Sequence, residues 1–186
     1  MMNNNGFKNN WFFFLLVAPL FVGCAHIHPE NMVPEKTIFN TQHECTIALN
    51  VSSSNPEAAI LWLGGGQTMK PEEFQEAIGR SIKYTKLFRQ IANPSSADYI
   101  LSVELKFAGS HPGFGMHAWV LANWSLSERV TGAKVWAKDA KGDGHADASE
   151  AFDGGVRQVL AIERAAKDNI DTALTEVGNL HLKPCH

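Results

Sequence analysis

The sequence contains no apolar run long enough to cross a membrane as a helix. Its main apolar block, Trp11–Val22, has 12 residues, whereas a membrane-spanning helix needs about 20. Acidic residues are absent before Glu30, and Lys8 precedes the block. A short apolar block with a basic residue in front of it and no acids is typical of a signal peptide. The pattern therefore predicts export, with the folded part of the chain outside the cytoplasm.

The apolar block ends at Val22-Gly23-Cys24. These residues resemble the lipobox of bacterial lipoproteins, in which a small residue precedes a cysteine that is acylated and becomes the first mature residue. The resemblance implies a signal peptide at 1–23 and a lipid anchor on Cys24. Ala25 follows in place of the Asp that retains such proteins at the inner membrane, which implies an outer-membrane, periplasm-facing location. An ordinary secretory signal and an uncleaved anchor are the alternatives.

Cysteine is scarce, with only Cys45 and Cys185 remaining once Cys24 is set aside. In an oxidising compartment two remaining cysteines favour a disulfide. This bridge would tie the C-terminal tail to the start of the first strand. Unpaired structural thiols, and reactive or metal-binding thiols, are the alternatives.

Neither sign of charge is in large excess. The chain has 16 Lys and Arg against 19 Asp and Glu, a formal net charge of −3. A nucleic-acid interface requires a basic surface, so no nucleic-acid partner is expected. A polybasic surface for anionic lipid is also lacking. Contact with membrane lipid is therefore expected through the acylated Cys24.

Recognisable catalytic motifs are missing as well. The chain has no Gly-x-Ser-x-Gly elbow, and the glycine-rich stretch 64–70 lacks P-loop spacing. The acids around Gly142 and Gly144 lack the ligand register of a calcium loop. We therefore expect a protein that is not an enzyme and needs no cofactor. Metal ligation is the alternative, by the scattered histidines, among them His26 and His28, or by the Cys185-His186 tail.

The chain divides into a leader, a linker and one domain. Residues 24–44 are polar and interrupted by proline, which predicts a flexible tether behind the acylated cysteine. Residues 45–186 are predicted to form one periplasmic domain. Its hydrophobic periodicity predicts the following elements: strand 45–51, a helix from 71 to near 88, strands 97–107, 117–129 and 134–138, a tight turn at 141–144, an edge strand to about 152, and helix 155–177.

This order predicts an α+β fold, a two-layer sandwich in which a mostly antiparallel sheet of about four strands carries two helices on one face. The core face of the third predicted element includes Tyr99, Leu101, Val103, Leu105 and Phe107. The apolar run at 58–63 is ambiguous between a strand and a buried turn.

The domain is similar to the small α+β accessory lipoproteins of bacterial envelope transport and assembly complexes, among them the lipopolysaccharide-assembly lipoprotein. The residues that carry this resemblance are Phe74–Ile78, Ala97–Leu101, Trp124–Leu126, Thr131-Gly132, Val135-Trp136 and Ala165–Ile170. The resemblance implies a non-catalytic subunit with a protein partner in the envelope.

Three tryptophans are candidate anchors for that partner. Trp119 and Trp136 are predicted to lie on the sheet face opposite the core, and Trp62 lies in the ambiguous run. Exposed aromatic side chains are frequent anchors at protein interfaces. The alternative is that a loop or the helix layer covers them.

The sequence thus predicts a membrane-anchored lipoprotein that serves as an accessory or assembly subunit of a cell-envelope complex, with a sheet face or edge as its binding surface. Two alternatives stay open at this point. The domain could carry a lipid or small molecule between sheet and helices, or it could be a metal-dependent enzyme.

Overall fold

Two helices cover one face of a five-stranded sheet in the computed structural model, which describes residues 25–35, 42–54, 69–113 and 115–185. The strand order is β2-β1-β3-β4-β5. The elements are a 3₁₀ turn (Pro29–Met32), β1 (His43–Ser53), α1 (Pro71–Thr85), β2 (Phe88–Ile91), β3 (Tyr99–Pro112), β4 (Gly115–Glu128), β5 (Lys134–Asp147) and α2 (Gly154–Gly178). The predicted α+β class is confirmed. None of the helices in the described ranges combines the length and the hydropathy of a membrane-spanning segment.

The sheet is mixed, which differs from the mostly antiparallel sheet of about four strands that the sequence predicts. β1 pairs in parallel with both β2 and β3, while β3, β4 and β5 are antiparallel. The missed strand is β2, because helix α1 ends at Thr85 and not near Phe88. Lys86 adopts the left-handed conformation, with φ 54°, and this ends the helix and turns the chain back toward the sheet.

β5 corrects a second prediction. The sequence predicts a tight turn at 141–144 and then a separate edge strand, but the structure has one continuous strand, Lys134–Asp147. Gly142 and Gly144 are the residues from which the sequence predicts the turn. Their real role is to let a helix lie close against the strand.

The backbone of α2 lies directly on these glycines. A Cβ on Gly142 would overlap the carbonyl oxygen of Ala165 and approach Asn169. A Cβ on Gly144 would overlap backbone atoms of Ala161 and Ala165. Helix and strand can therefore pack at this distance only where the strand has no side chain.

Trp124, on β4, is fully buried and contacts both helices. The ring of Phe74, from α1, meets it edge-on, with centroids 6.0 Å apart. From α2, the Asn169 side chain accepts a hydrogen bond from Trp124 Nε1 at 3.0 Å. It also donates to the backbone oxygens of Ala140 and Val120, at 2.8 and 3.2 Å. Both helices therefore pack on the same face of the sheet, as predicted.

Asp98 joins the starts of β1 and β3. Its carboxylate accepts hydrogen bonds from the backbone N–H and the hydroxyl of Thr46, at 2.7 and 2.8 Å. These bonds, the backbone bond first, hold the pKa of Asp98 below its usual value. The carboxylate is therefore ionised at neutral pH and keeps the two parallel strands in register.

Cys45 and Cys185 form a disulfide, with their Cα atoms 5.2 Å apart. The predicted pairing is confirmed. The bridge joins β1 to the tail that follows α2, across a sequence separation of 140 residues.

Candidate binding surface

The sheet face that the helices leave uncovered, here called the open face, carries an apolar cluster. Trp119 lies on β4 between buried Ala118 and Val120, so the alternation of the strand directs it to the open face. The ring of Phe107 stacks on it, with centroids 5.7 Å apart and planes at 19°. Leu121, which pairs with Phe107, is 36% exposed beside them. We call Phe107, Trp119 and Leu121 the aromatic patch.

Phe107 reaches this face through a β-bulge. The sequence predicts that Phe107 shares the core face with Leu105, and that prediction was wrong. The register with β4 shifts between these two residues, because Lys106 is an extra residue in the ladder. One extra residue reverses the side on which every later side chain lies. Ala108 takes the core position, and Phe107 joins the open face.

A glycine makes room for the stacked ring. Gly109 is the residue opposite Trp119 in the ladder. A Cβ on Gly109 would lie 2.5 Å from the ring of Phe107. The absent side chain therefore lets Phe107 lie against the sheet and face Trp119, which holds the pair in one arrangement.

Polar pairs border the patch. Asn123 donates to Asp139 at 2.9 Å across the β4–β5 ladder. Glu104 pairs with Lys106 at 2.6 Å, and this contact is the main reason why the pKa of Glu104 lies below its usual value. An apolar centre with a hydrated polar border is the arrangement typical of protein interfaces.

Of the other two predicted tryptophans, the structure describes only Trp136, which does not extend the patch. Trp62 lies outside the described residues. Trp136 lies on the helix face, where its Nε1 donates to Glu176 at 3.4 Å and its ring packs against the core. The prediction that it faces away from the core was wrong, and the alternative that helices cover it is confirmed. In the uninterrupted strand, Trp136 falls in line with buried Ala140, which packs under α2.

The described N-terminal residues 25–35, here called the docked segment, pack on the domain. Glu163 of α2, only 2% exposed, accepts hydrogen bonds from His28 N–H at 2.7 Å and from Asn31 Nδ2 at 2.8 Å. Ile27 and Met32 are buried in the core cluster. The predicted flexible tether over 24–44 was therefore wrong for this segment, because two apolar side chains and a buried carboxylate hold it in place.

A cluster of charged groups lies where β5 ends and α2 begins. Arg164 donates to both carboxylate oxygens of Glu150, at 2.9 and 2.5 Å, and the backbone N–H of Asp147 donates at 2.8 Å. These hydrogen bonds, those from Arg164 first, lower the pKa of Glu150 to about 2. The ionised Glu150 ties the turn after β5 to α2.

Two histidine rings lie close together on the open face, near the end of β5 that precedes α2. The rings of His117 and His145 lie 4.2 Å apart, and His145 Nε2 lies 2.9 Å from Asp147 Oδ1. Within the ranges that the structure describes, no group of three or more His, Cys, Asp or Glu side chains is placed to hold a metal ion. Cys185, one of the alternative ligands, is in the disulfide.

Solved structures with a similar fold include those of two bacterial proteins. Protein XCC0632 from Xanthomonas campestris, of the family-model DUF330, is 11% identical, with a TM-score of 0.55 over 78% of this chain and 87% of its own. The hypothetical protein CT253 from Chlamydia trachomatis is 9% identical, with a TM-score of 0.55 over 73% of this chain and 96% of its own. At these identities the likeness shows the fold alone.

A minor lipoprotein from Acinetobacter baumannii gives a weaker likeness, with a TM-score of 0.43 at 11% identity over 74% of this chain and 90% of its own. This likeness is too weak to support an argument. No family model and no curated protein matches the sequence.

Proposed function

We propose that this protein is a lipid-anchored component of the cell envelope that acts by binding and not by catalysis. An acylated Cys24 holds the domain at the outer membrane, on the periplasmic side. The open face then binds a protein partner, so that the chain serves as an accessory or assembly subunit of an envelope complex. The observation that supports this proposal best is the aromatic patch of Phe107, Trp119 and Leu121.

The patch is suited to a protein partner because it is already ordered. Stacking on Trp119 and contact with Gly109 hold the Phe107 ring in place. Little side-chain freedom is then lost on binding, which favours affinity. Tryptophan is also among the residues that contribute most at interfaces. A sheet face is flat, whereas small ligands bind in concave pockets.

The packed interior favours surface binding over carriage of a lipid between the layers. Trp124, Phe74, Ile162 and Ile170 fill the space between sheet and helices in the described part of the domain, and each is fully buried. An apolar ligand there would have to displace these side chains.

The face is also a better binding surface than the exposed edge of β5. That edge strand carries Lys134, Lys138 and Lys141, and also Asp139, Asp143 and Asp147. Charged side chains, lysine above all, protect edge strands from pairing with another chain. We therefore place the partner on the face and not at the edge.

Site-specific crosslinking tests this proposal. A photo-crosslinking residue at position 121 is expected to trap an envelope protein in intact cells. The same residue at position 130 is the matched control, because Val130 is 76% exposed in the turn between β4 and β5 and lies outside the patch. A Trp119→Ala change should weaken capture at 121 by about tenfold or more, since loss of an interface tryptophan costs about 2 kcal/mol.

Three results would count against the proposed binding surface. Capture at 130 that equals capture at 121 would mean that the adducts are not specific. Capture at 121 that survives Trp119→Ala would place the contact elsewhere. No adduct at 121 in cells that contain the mature, folded protein would remove the protein partner altogether.

A further inference from the structure

The docked segment runs along α2 in one direction. Glu35 pairs with Lys167 at 2.8 Å, whereas His28 and Asn31 bind Glu163, one helical turn earlier. Going back along the segment from 35 to 28 therefore leads toward the N terminus of α2. Ala25, which packs against the core, is three residues farther back.

This direction limits where a lipid anchor can lie. The residue before Ala25 is four residues from His28, and four extended residues span at most about 14 Å. Nine residues of helix separate Glu163 from Gly154, the first residue of α2, which is also about 14 Å. The reach of the chain therefore allows an acyl group on that residue to lie at the end of the domain where α2 begins and β5 stops.

The same end carries the most exposed aromatic side chain in the described residues. Phe152 is fully exposed. It directly precedes Asp153, whose carboxylate caps α2. A residue in this position often packs on an apolar side chain four residues into the helix, but that place is taken by Arg157. Phe152 therefore lacks the usual intramolecular partner.

The turn that presents Phe152 is held firmly. Arg157 donates to the backbone oxygens of Ala151 and Phe152, at 2.9 and 3.3 Å. Val156, in the first turn of α2, adds a second partly exposed apolar side chain. We call Phe152 and Val156 the apolar tip.

We infer that the apolar tip inserts into the phospholipid surface that holds the acyl chains, so that the domain lies directly on the membrane and does not hang from a long tether. The inference rests on the acylation of Cys24 proposed above. Two features of the chain support lipid as the occupant. The docked segment leaves the anchor within reach of this end, and a large apolar side chain near an anchor strengthens membrane attachment by entering the bilayer interface.

The test uses the full-length acylated protein in vesicles of phosphatidylethanolamine and phosphatidylglycerol. Phe152→Cys and Val130→Cys each provide one free thiol for an environment-sensitive fluorophore while the Cys45–Cys185 disulfide stays oxidised. The two positions form a matched pair, because both are exposed apolar residues, one beyond each end of β5, and a strand of this length spans about 45 Å. We expect emission at shorter wavelength and loss of iodide quenching at 152, and neither change at 130.

A Gly-Ser insertion between Ala25 and His26 provides the second variant. It lengthens the connection to the anchor without touching Phe152 or the contacts of Glu163. Protection of the probe at 152 should decrease in this variant while acylation is retained. Unchanged protection would show that the tip reaches lipid without help from the docked segment, and would overturn that part of the inference.

Failure of the inference and failure of lipid anchoring give different results. If the acylated protein floats with the vesicles but iodide quenches both probes equally, the apolar tip does not insert. If position 152 is protected without vesicles as well, a protein surface and not lipid covers it. If the chain carries no acyl group and stays in solution, the proposed anchoring itself has failed.

Discussion

Replacing Gly144 with alanine is expected to push α2 away from the sheet and to lower the free energy of unfolding by about 3 kcal/mol or more. The new Cβ would overlap the backbone of Ala161 and Ala165. Backbone atoms in the middle of a helix cannot move aside as a flexible side chain can, so the whole helix must shift. For a domain of this size the change corresponds to a fall of about 10 °C in the unfolding midpoint.

Gly154→Ala is the matched control for this prediction. The nearest atom to a Cβ there is Arg157 Nη2 at 3.8 Å, an ordinary contact. Thermal unfolding followed by circular dichroism should show a large fall for Gly144→Ala and none for Gly154→Ala. An unchanged midpoint for Gly144→Ala would mean that α2 does not pack against β5 as closely as described.

Reduction of the Cys45–Cys185 disulfide is expected to destabilise the domain by about 5 kcal/mol in the chain-entropy model. The bond joins cysteines 140 positions apart in the sequence, so its loss frees nearly the whole domain in the unfolded state. Denaturant unfolding of oxidised and reduced protein measures the difference directly.

The Cys185→Ala variant separates the effect of the bond from that of the reductant. Its midpoint should lie near that of the reduced protein and should not fall further when reductant is added. Equal midpoints for the oxidised and reduced forms of the unchanged protein would contradict the stabilising role of the bridge.

The elements that the sequence predicts well are those with a single uninterrupted periodicity. The apolar stripe of α2 predicts that helix to within a residue at each end. The alternation through Trp124 in β4 predicts the core face of that strand. In both elements the local pattern and the tertiary packing agree, so the pattern alone was sufficient.

Glycine caused the main error in β5. Gly142 and Gly144 look like turn residues in the sequence, but they lie in a strand because a helix backbone packs on them. The error had a second consequence. A strand that ends at 138 is too short to show the long alternation, and the sequence therefore predicts the wrong face for Trp136.

The aromatic patch was only half predictable. Trp119 follows from strand alternation, whereas Phe107 depends on the bulge at Lys106. No local residue pattern predicts that bulge, because the bulge results from pairing with β4. The run of alternation simply continues to Phe107 in the sequence, and the break becomes visible only in the register of the two strands.

The docked segment was missed for a related reason. Its polar, proline-containing composition is typical of a linker, and its contacts depend on a residue 135 positions later, Glu163. Its few apolar residues, chiefly Ile27, Met32 and Val33, are the local indication that the segment packs. Isolated apolar residues of this kind carry no periodicity from which burial can be inferred.

The proposed surfaces are close enough to act together. Trp119 pairs with Asp143 and Leu121 pairs with Lys141, four and six residues before the end of β5, so the aromatic patch lies about 13 to 20 Å from that end. A partner bound to the open face would therefore lie near the membrane if the apolar tip inserts. The anchor would then fix the orientation of the complex as well as its location.

Mass spectrometry of the N-terminal peptide of the mature protein, purified from membranes, tests lipid anchoring most directly. We expect the chain to begin at Cys24 and to carry a diacylglyceryl group with an amide-linked acyl chain. An unmodified N terminus at any other residue would contradict the lipid anchor, and with it the proposed position of the domain at the membrane.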